Sequence, residues 1–463
     1  MDAPQLQMHI AMYPWLAMGH ITTYLHLANK LAKRRHRISF FIPKRTKAKV
    51  EHYNLYPHLI TFIPITIPHV DGLPPQAETT FDVPLSLATL FMTAMDRTKK
   101  DIEPLLHELK PNVVFFDFAL WIPSLARSLG IKSLQYITVN VMSVAFIESM
   151  KKQCQQNNLV EDDEMNLMNS PPAGFPDSSI KLHAHEVRGL ASFMKLEVGG
   201  VSFMDHVCTG ANLSDAVGFR GCREIEGQYA EFLESFYWKP LLLSGPGLPD
   251  PPNSTLEQKW AQWLARFNPG SVIYCAFGSE CRMVQDQFKE LLLGLELTGF
   301  PFLAALKAPI GFESVEEAMP EGFKERVHGR GIVHGGWVQQ TLILDHPSIG
   351  CFITHCGASS LLEALVNKCQ LVMLPNVLDQ IFNARMMSSS FKAGVEVEKG
   401  EEDGLFTKES VCKAVKTVMD DESEVGRQVR ENHLKLRNIL SSKDLENTYN
   451  DSFCHKLQEL LGG

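Results

Sequence analysis

A strand, a tight turn and a helix start follow one another between residues 349 and 365. Residues 349–354 have the apolar pattern of a buried strand, 355–357 read as the turn, and 359–365 read as a helix start. Such an arrangement aims backbone N–H groups and the positive end of a helix dipole at one point, which favours phosphate binding. An ordinary strand–helix turn with a serine cap has the same pattern. The residues alone therefore predict a phosphate site and leave the capped turn open as its alternative.

A histidine stands where the first predicted strand gives way to the first predicted helix. Gly19 and His20 follow the apolar run 9–13 and open an amphipathic run at 21–33. Because ligands of parallel sheets bind beyond the carboxyl ends of the strands, we expect the imidazole at the mouth of a ligand cleft. An ordinary histidine pKa of about 6.5 suits removal of a proton from a hydroxyl group near neutral pH. A capping or surface histidine is the alternative.

The elements that would position these residues alternate between short apolar runs and helical patterns. Strand-like runs lie at 9–13, 38–42, 59–65, 113–116 and 134–137, with helical patterns at 21–33, 85–109 and 123–129. This alternation predicts an α/β domain with a mostly parallel sheet covered by helices. The polar, irregular stretch 153–176 predicts a long loop, which either shapes an acceptor pocket or is a solvated connection.

A stretch rich in Pro and Gly at 244–252 predicts an interdomain linker. The alternation then restarts, with strands predicted at 271–277, 302–306 and 331–334, a helix at 285–298 and a helical surface segment at 434–461. We therefore predict two doubly wound halves, each holding one ligand across a cleft. The predicted domains are residues 1–243 and 256–440, joined by a linker at 244–255 and followed by a C-terminal helix at 441–463.

Composition excludes several classes of protein. The chain has 463 residues, 44 Lys and Arg against 53 Asp and Glu, and a net charge of −9, so we expect no nucleic-acid partner. Its 10 cysteines include no CxxC pair, which matches neither a zinc site nor a secreted disulfide framework and predicts a cytoplasmic protein. The sequence lacks a signal-peptide pattern and an uncharged apolar run long enough to span a bilayer, so we expect no integral membrane contact.

The segment from Trp337 to Gln380, WVQQTLILDHPSIGCFITHCGASSLLEALVNKCQLVMLPNVLDQ, resembles the signature of plant family-1 UDP-dependent glycosyltransferases. The resemblance extends over nearly the whole chain, from the Gly19-His20 turn to the C-terminal helix. It implies the GT-B fold, with two Rossmann-like domains facing a cleft and the C-terminal helix packing back on the N-terminal domain. By the same resemblance the N-terminal domain binds the acceptor and the C-terminal domain binds the UDP-sugar.

The resemblance implies roles for the residues that would hold the nucleoside. Trp337 matches the family residue that stacks on uracil, and Gln340 matches one that lies beside the nucleoside. Glu363 matches the carboxylate that accepts hydrogen bonds from the ribose hydroxyls, a role suited to a vicinal diol. Val338 belongs to the same implied donor site.

The phosphate and sugar contacts are also implied by the resemblance. His355 and Ser360 match diphosphate-contacting residues, and Ser279, in a turn after another strand, matches a third. Gly357 and Ser359 belong to the same implied donor site. The pair that contacts the hydroxyls of the donor sugar matches Asp379 and Gln380.

The resemblance implies a catalytic pair in the N-terminal half. His20 matches the base that deprotonates the acceptor hydroxyl, and Asp117, just past the run 113–116, matches the acid that orients it. Thr138 matches a residue near the donor sugar. The implied chemistry is an inverting hexosyl transfer in which UDP departs, helped by the helix start near Ser359. No cofactor or metal is implied, because no Asp-x-Asp pair accompanies the motif and the UDP-sugar is a co-substrate.

Further segments indicate a branch of the family. Residues 179–189, 222–227 and 335–340 resemble enzymes that glycosylate a sugar already attached to a flavonoid, especially the anthocyanidin 3-O-glucoside glucosyl- and rhamnosyltransferases. Two departures stand out: Ala358-Ser359 replaces the usual Trp-Asn, and Thr22-Thr23 replaces a small residue followed by Pro. The first removes a large wall near the sugar. A Gln at the position of Gln380 is usual among glucose users and also occurs in relatives that use rhamnose or xylose, so the donor sugar stays open.

These observations lead to one main hypothesis for a monomeric protein. It transfers glucose or rhamnose from a UDP-sugar to the sugar of a flavonoid, anthocyanin or other phenolic glycoside. One alternative is direct glycosylation of an aglycone hydroxyl. The other is a catalytically silent UDP-sugar-binding protein, which would have no need of both His20 and Asp117.

Overall fold

The computed structural model describes residues 7–84, 87–157, 169–198, 200–248, 255–278, 280–442 and 444–462. Contacts divide the chain into two compact units. The first comprises Met1–Glu148, Ala191–Pro249 and Lys443–Gly463, and the second comprises Ser149–Leu190 and Asp250–Ser442.

The first unit is built around a parallel sheet. Its strands are β1 (His9–Tyr13), β2 (Arg37–Pro43), β3 (Ile60–Ile65), β4 (Val113–Phe116), β5 (Lys132–Ile137), β6 (Glu197–Val198), β7 (Val201–Ser202), β8 (Ala216–Phe219) and β9 (Leu241–Leu243). Seven of them pair in parallel in the order β3-β2-β1-β4-β5-β8-β9, and β6 pairs antiparallel with β7. β4 is buried at every position, which is typical of a central parallel strand covered on both faces.

Helices alternate with these strands along the chain. They are α1 (Met18–Lys33), α2 (Thr46–Val50), α3 (Ala88–Arg97), α4 (Lys99–Leu109), α5 (Trp121–Ser128), α6 (Val141–Asn157), α7 (Ala184–Met194), α8 (Phe203–Leu213) and α9 (Arg223–Tyr237), with short 3-10 turns at Glu51–Tyr53 and Thr80–Asp82.

α1 illustrates how the sequence sets these helices. Its buried residues include Ile21, Leu25, Ala28 and Ala32, whose spacing of three or four positions places them on one face. This face joins the core that also contains residues of β1 and β2. The helix begins at Met18, directly after the loop that leaves β1, so its first turn stands at the carboxyl end of the sheet.

The second unit contains another parallel sheet. Its strands are β10 (Val272–Ala276), β11 (Phe302–Ala305), β12 (Gly331–His334), β13 (Ile349–Thr354), β14 (Gln370–Met373) and β15 (Gly394–Glu396). They pair in the order β12-β11-β10-β13-β14-β15. Its helices after residue 255 are α10 (Gln258–Leu264), α11 (Gln285–Thr298), α12 (Val315–Ala318), α13 (Phe323–Arg326), α14 (Gln340–Leu344), α15 (Ala358–Leu365), α16 (Asp379–Arg385), α17 (Lys408–Met419) and α18 (Glu424–Leu440), with a π-helical turn at Met386–Ser390.

The C-terminal helix α19 (Leu445–Gly462) belongs to the first unit. Phe453 of this helix packs edge-on against Phe115 and Tyr136, with ring centroids 6.0 and 6.3 Å apart, so it lies against the central strands. Arg34, just past the end of α1, donates a hydrogen bond of 2.6 Å to Asp451. The prediction that the C-terminal helix returns to the N-terminal part of the chain is confirmed.

Two predicted helices are each interrupted in the structure. The pattern at 85–109 forms α3 and α4, which meet at the buried Thr98. The hydroxyl of Thr98 bonds to the carbonyl of Met95 and to the hydroxyl of Tyr13. The pattern at 434–461 is divided between α18 and α19. Hydrophobic periodicity continues across such breaks and so could not locate them.

The predicted loop at 153–176 also differs from the structure, since α6 continues to Asn157. The predicted domain boundary also differs from the structure in this region. The sequence predicts one first domain over residues 1–243, whereas Ser149–Leu190 belongs to the second unit. Long-range contacts join this segment to the second unit; in one of them Arg385 donates two hydrogen bonds, of 2.9 and 2.7 Å, to Glu186. These partners are 199 positions apart. Within the described ranges, no helix is both long and apolar enough to cross a bilayer.

Candidate active site

Each sheet has a switch point, which is the place where the strand order reverses. On either side of this point the chain adds its strands in opposite directions across the sheet. In the first unit it lies between β1, which also pairs with β2, and β4, which also pairs with β5. In the second unit it lies between β10 and β13. Ligands of doubly wound sheets bind at such points, outside the carboxyl ends of the strands.

At the first switch point the structure brings His20 and Asp117 together. Nδ1 of His20 lies 2.5 Å from Oδ2 of Asp117, and the carboxylate is fully buried while the imidazole is 20% exposed. The hydroxyl of Thr138 lies 2.9 Å from the same ring nitrogen. Because Nδ1–H points to these oxygens, Nε2 is the ring nitrogen with the lone pair that can accept a proton. The arrangement can act as a carboxylate-oriented general base.

Two contacts hold Asp117 itself. Its Oδ2 accepts a hydrogen bond of 3.4 Å from the backbone N–H of Trp15, and its main-chain carbonyl accepts one of 2.8 Å from Nε2 of Gln135. Its other oxygen, Oδ1, is buried and has no hydrogen-bond partner among the described residues. The sequence pattern did not indicate Gln135, which lies inside an apolar strand.

At the second switch point a glycine turn packs against a histidine. Gly278 has a φ of +69°, and a Cβ there would lie 3.1 Å from the imidazole of His355. Burial lowers the pKa of His355 to about 4, so the ring is neutral at pH 7. A neutral imidazole carries one N–H donor and adds no positive charge to the turn. Ser279, predicted for the same turn, lies outside the described residues.

Helix α15, which follows the turn at 355–357, has no side-chain cap. Its N-cap is Gly357, and Ser359 and Ser360 are the second and third residues of the helix. Ser359 is exposed and Ser360 is buried. The serine-capped turn considered as an alternative is therefore not the one formed, because both serines lie inside the helix.

The predicted nucleoside residues form a hydrogen-bonded chain. Nε2 of Gln340 donates to Oε2 of Glu363 at 3.0 Å and to the hydroxyl of Ser360 at 3.3 Å. The hydroxyl of Tyr274 donates to Oε1 of Gln340 at 3.3 Å. The amide of Gln340 is therefore fixed between strand β10 and helix α15, and it in turn fixes the carboxylate of Glu363.

Two further predicted residues differ in exposure. Trp337 is 70% exposed, which is unusual for an indole and leaves a flat apolar face in contact with solvent. Val338, the next residue, is buried, and its carbonyl accepts a hydrogen bond from the backbone of Gln340. The buried side chain of Val338 therefore holds this loop against the protein, and the ring of Trp337 is exposed to solvent.

The first two residues of α16 are the predicted sugar-contacting pair. Oε1 of Gln380 accepts hydrogen bonds from the backbone N–H groups of Asn376 and Val377, at 3.1 and 3.2 Å. Nδ2 of Asn383 bonds to Oδ2 of Asp379 at 3.4 Å and to the carbonyl of Cys356 at 2.9 Å. Sequence analysis missed Asn383, although its place four residues after Asp379 on one helix face was a signal.

No group of three or more His, Cys, Asp or Glu side chains within the described ranges is arranged to hold a metal ion. The absence of a metal requirement stays a prediction.

The two Rossmann-like sheets and the residues at their carboxyl ends define a GT-B protein. A solved structure, of a UDP-glucose: anthocyanidin 3-O-glucosyltransferase in complex with UDP, matches with a TM-score of 0.80 over 99% of both chains at 23% identity. The predicted fold class is thereby confirmed.

Sequence comparison names the family. Residues 314–446 match the model described as "UDP-glucoronosyl and UDP-glucosyl transferase". A cyanidin 3-O-galactoside 2''-O-xylosyltransferase of Actinidia chinensis var. chinensis is 59% identical over 100% of both chains. An anthocyanidin 3-O-glucoside 2''-O-glucosyltransferase of Ipomoea purpurea is 57% identical over 98% of both. The chain therefore belongs to this family and is a UDP-glycosyltransferase.

Proposed function

We propose that this enzyme transfers a sugar from a UDP-sugar to the 2''-hydroxyl of the sugar of an anthocyanidin 3-O-glycoside. The hydrogen bond of 2.5 Å between His20 and Asp117 carries the proposal, because it supplies the base that such a transfer needs. The relatives at 59% and 57% identity have names that describe 2''-O transfer to 3-O-glycosides, which supports this acceptor class.

The proposed reaction begins at the acceptor hydroxyl. Nε2 of His20 takes its proton while the oxygen forms a bond to the anomeric carbon of the donor sugar. The bond from that carbon to the diphosphate oxygen breaks at the same time, its electron pair leaves with UDP, and the configuration inverts. The buried carboxylate of Asp117 stabilises the imidazolium that forms, because it holds the Nδ1–H.

The proposed donor site stabilises the charge that develops on UDP. The N-terminus of α15 offers backbone N–H groups, and His355 is carried over from the family motif as a diphosphate contact. Ser360 belongs to this group, and Ser279 is carried over from the family motif. Trp337 would stack on uracil, and Glu363 would accept from the ribose hydroxyls.

The proposed contacts with the donor sugar come from α16. We assign contacts with its hydroxyls to Asp379 and Gln380, whose side chains the loop 376–377 and Asn383 hold in place. The names of the relatives support UDP-glucose and UDP-xylose as donors. UDP-rhamnose is a third candidate donor, because Gln380 is compatible with it as well.

The test pairs acceptors with donors. Purified enzyme is given cyanidin 3-O-glucoside, cyanidin 3-O-galactoside or cyanidin, each with UDP-glucose, UDP-xylose or UDP-rhamnose. Products are identified by mass, and NMR gives the linkage position and the anomeric configuration. We expect a diglycoside from a glycoside acceptor only, a β linkage from UDP-glucose, and loss of product in His20→Ala.

Each alternative has its own result. Products from the aglycone and none from the glycosides would replace the proposal with direct aglycone glycosylation. Tight UDP binding without turnover on any acceptor would replace it with a silent UDP-sugar-binding protein.

We further propose a metal-independent, monomeric enzyme of the cytoplasm without integral membrane contact. Activity should be unchanged after treatment with EDTA and after addition of Mg²⁺. Light scattering should give a mass near the 52.0 kDa of one chain, and fractionation of tissue should recover the protein with cytoplasmic markers.

A further inference from the structure

Gln135 is a polar residue at a fully buried position of the central strand β5. Its Nε2 donates a hydrogen bond of 2.8 Å to the main-chain carbonyl of Asp117. Its Oε1 is buried and has no hydrogen-bond partner among the described residues. A buried acceptor without a partner is destabilising, so an apolar residue would serve the sheet better. The amide therefore needs an explanation beyond packing.

The position of Gln135 explains what its amide does. Phe116 and Gln135 are the last paired residues of the ladder between β4 and β5. Asp117 follows directly, where β4 leaves the sheet and the backbone ladder ends. The side chain of Gln135 supplies a hydrogen bond to the carbonyl of Asp117 at this point. The residue that carries the catalytic carboxylate is thus held through its main chain by Gln135 and through its side chain by His20.

A glycine of α8 leaves the space that this amide occupies. A Cβ at Gly210 would lie 2.7 Å from Nε2 of Gln135, 3.0 Å from Cδ and 3.1 Å from Oε1. Contacts under 3.0 Å force a neighbour to shift, and the neighbour here is the end of a flexible side chain. An alanine at 210 would therefore displace the amide while every polar group of the site remains.

We propose that Gln135 is a positioning residue for the catalytic base and that Gly210 keeps its amide in place. The amide fixes the main chain of Asp117, which directs Oδ2 to Nδ1 of His20 and so holds the imidazole in its reactive tautomer. This inference rests on the proposed roles of His20 and Asp117.

The inference predicts a particular kinetic pattern. A loosened Asp117 stabilises the imidazolium less well, so kcat falls and the pKa of His20 falls with it. The acid limb of the pH profile of kcat/KM then moves to lower pH. The buried hydroxyls of Tyr24 and Tyr136 also face the charge of Asp117, but burial raises their pKa values above the range of the assay. Neither tyrosine therefore contributes to the acid limb.

The experiment compares Gln135→Met and Gly210→Ala with the wild type. Both variants should lower kcat by about tenfold, leave the KM for the UDP-sugar within about twofold, and move the acid limb to lower pH. Gly227→Ala is the matched control, because it also changes a helical glycine of the first unit, and its Cβ would meet only Cβ of Arg223 at an ordinary 3.6 Å. It should keep the wild-type kcat and profile.

The outcomes separate this inference from the proposed function. Lower kcat with an unchanged KM and a moved limb in both variants supports the inference. If Gly210→Ala or Gln135→Met folds and keeps the wild-type kcat and pH profile, the positioning role of Gln135 is wrong. If His20→Ala is inactive in the same assay, the proposed role of His20 as the base is still supported. Full turnover by His20→Ala overturns both. If Gln135→Met does not fold, Gly210→Ala decides, since it keeps the amide and replaces a glycine within a helix.

Discussion

At the scale of single residues, the tautomer of His20 is the feature on which the chemistry depends. Asp117→Asn keeps the shape of the acid but can donate to Nδ1, which moves the ring proton to Nε2 and removes the base. We expect kcat to fall by about 10²- to 10⁴-fold in Asp117→Asn and His20→Ala. Turnover assays measure this, and calorimetry should find UDP binding unchanged. Loss of UDP binding along with turnover would contradict the role as a base.

Trp337 allows a second test, because the chain contains another exposed tryptophan. Trp337 is 70% exposed and Trp238 is 92% exposed, and only the first lies in the donor motif. If the indole stacks on uracil, Trp337→Ala should weaken UDP binding by about 1–3 kcal/mol, whereas Trp238→Ala should leave it unchanged. Calorimetric titration with UDP distinguishes the two. Equal affinities in both variants would rule out stacking on this ring.

The site residues differ in how well the sequence predicts them. Glu363 and Gln340 belong to one continuous motif, and the structure joins them by a hydrogen bond of 3.0 Å. The hydrogen bonds of Gln135 to Asp117 and of Asn383 to Cys356 could not be predicted in this way, because neither Gln135 nor Asn383 belongs to the motif and these partners lie 18 and 27 positions away. Such contacts depend on which elements become neighbours in the fold. The hydrophobic periodicity of the sequence does not show which elements will be neighbours.

At the scale of elements, a buried ion cluster fastens α7 to α16. Arg385 at the end of α16 binds Glu186 of α7 and Glu396 of β15, and side-chain exposures are 7%, 3% and 20%. Removing one partner of a buried pair leaves an uncompensated charge. We therefore expect Arg385→Ala to lower the free energy of unfolding by about 3–5 kcal/mol.

The control for this prediction lies on α7, the helix that carries Glu186. Arg188 of α7 pairs with Glu402 at 2.9 Å, but the two side chains are 49% and 75% exposed. Exposed pairs contribute about 1 kcal/mol or less, so Arg188→Ala should change the unfolding free energy little. Urea unfolding of both variants measures the difference. Similar losses in the two would show that burial of Arg385 is not what makes its pair important.

The bounds of helices and strands were predicted well where the local sequence marks the end of the element. β4 at Val113–Phe116 and α11 at Gln285–Thr298 have the predicted bounds, and Gly299 in the left-handed conformation ends the helix. The division between α3 and α4 could not be predicted, because the apolar pattern continues across Thr98, whose hydroxyl contacts Tyr13, 85 positions away. Local chemistry sets helix ends that carry a cap, and tertiary contacts set the others.

At the scale of the whole molecule, buried neutral histidines make stability depend on pH. Burial lowers the pKa of His36, His355 and His433 to about 4, against an unfolded value of about 6.5. Between these values the unfolded chain binds more protons than the folded one. The stabilisation is therefore complete above pH 6.5 and is lost progressively as the pH falls towards 4.

His433 offers the sharpest test of this linkage. It is 2% exposed in α18, and its Nε2 is buried without a hydrogen-bond partner among the described residues, so protonation would place an uncompensated charge in the core. His433→Gln should flatten the decline of stability between pH 6.5 and 4 by up to about 3 kcal/mol. His455→Gln, at a side chain that is 71% exposed, should leave the slope unchanged. Urea unfolding at several pH values measures both slopes, and equal slopes would show that His433 does not contribute to the acid sensitivity.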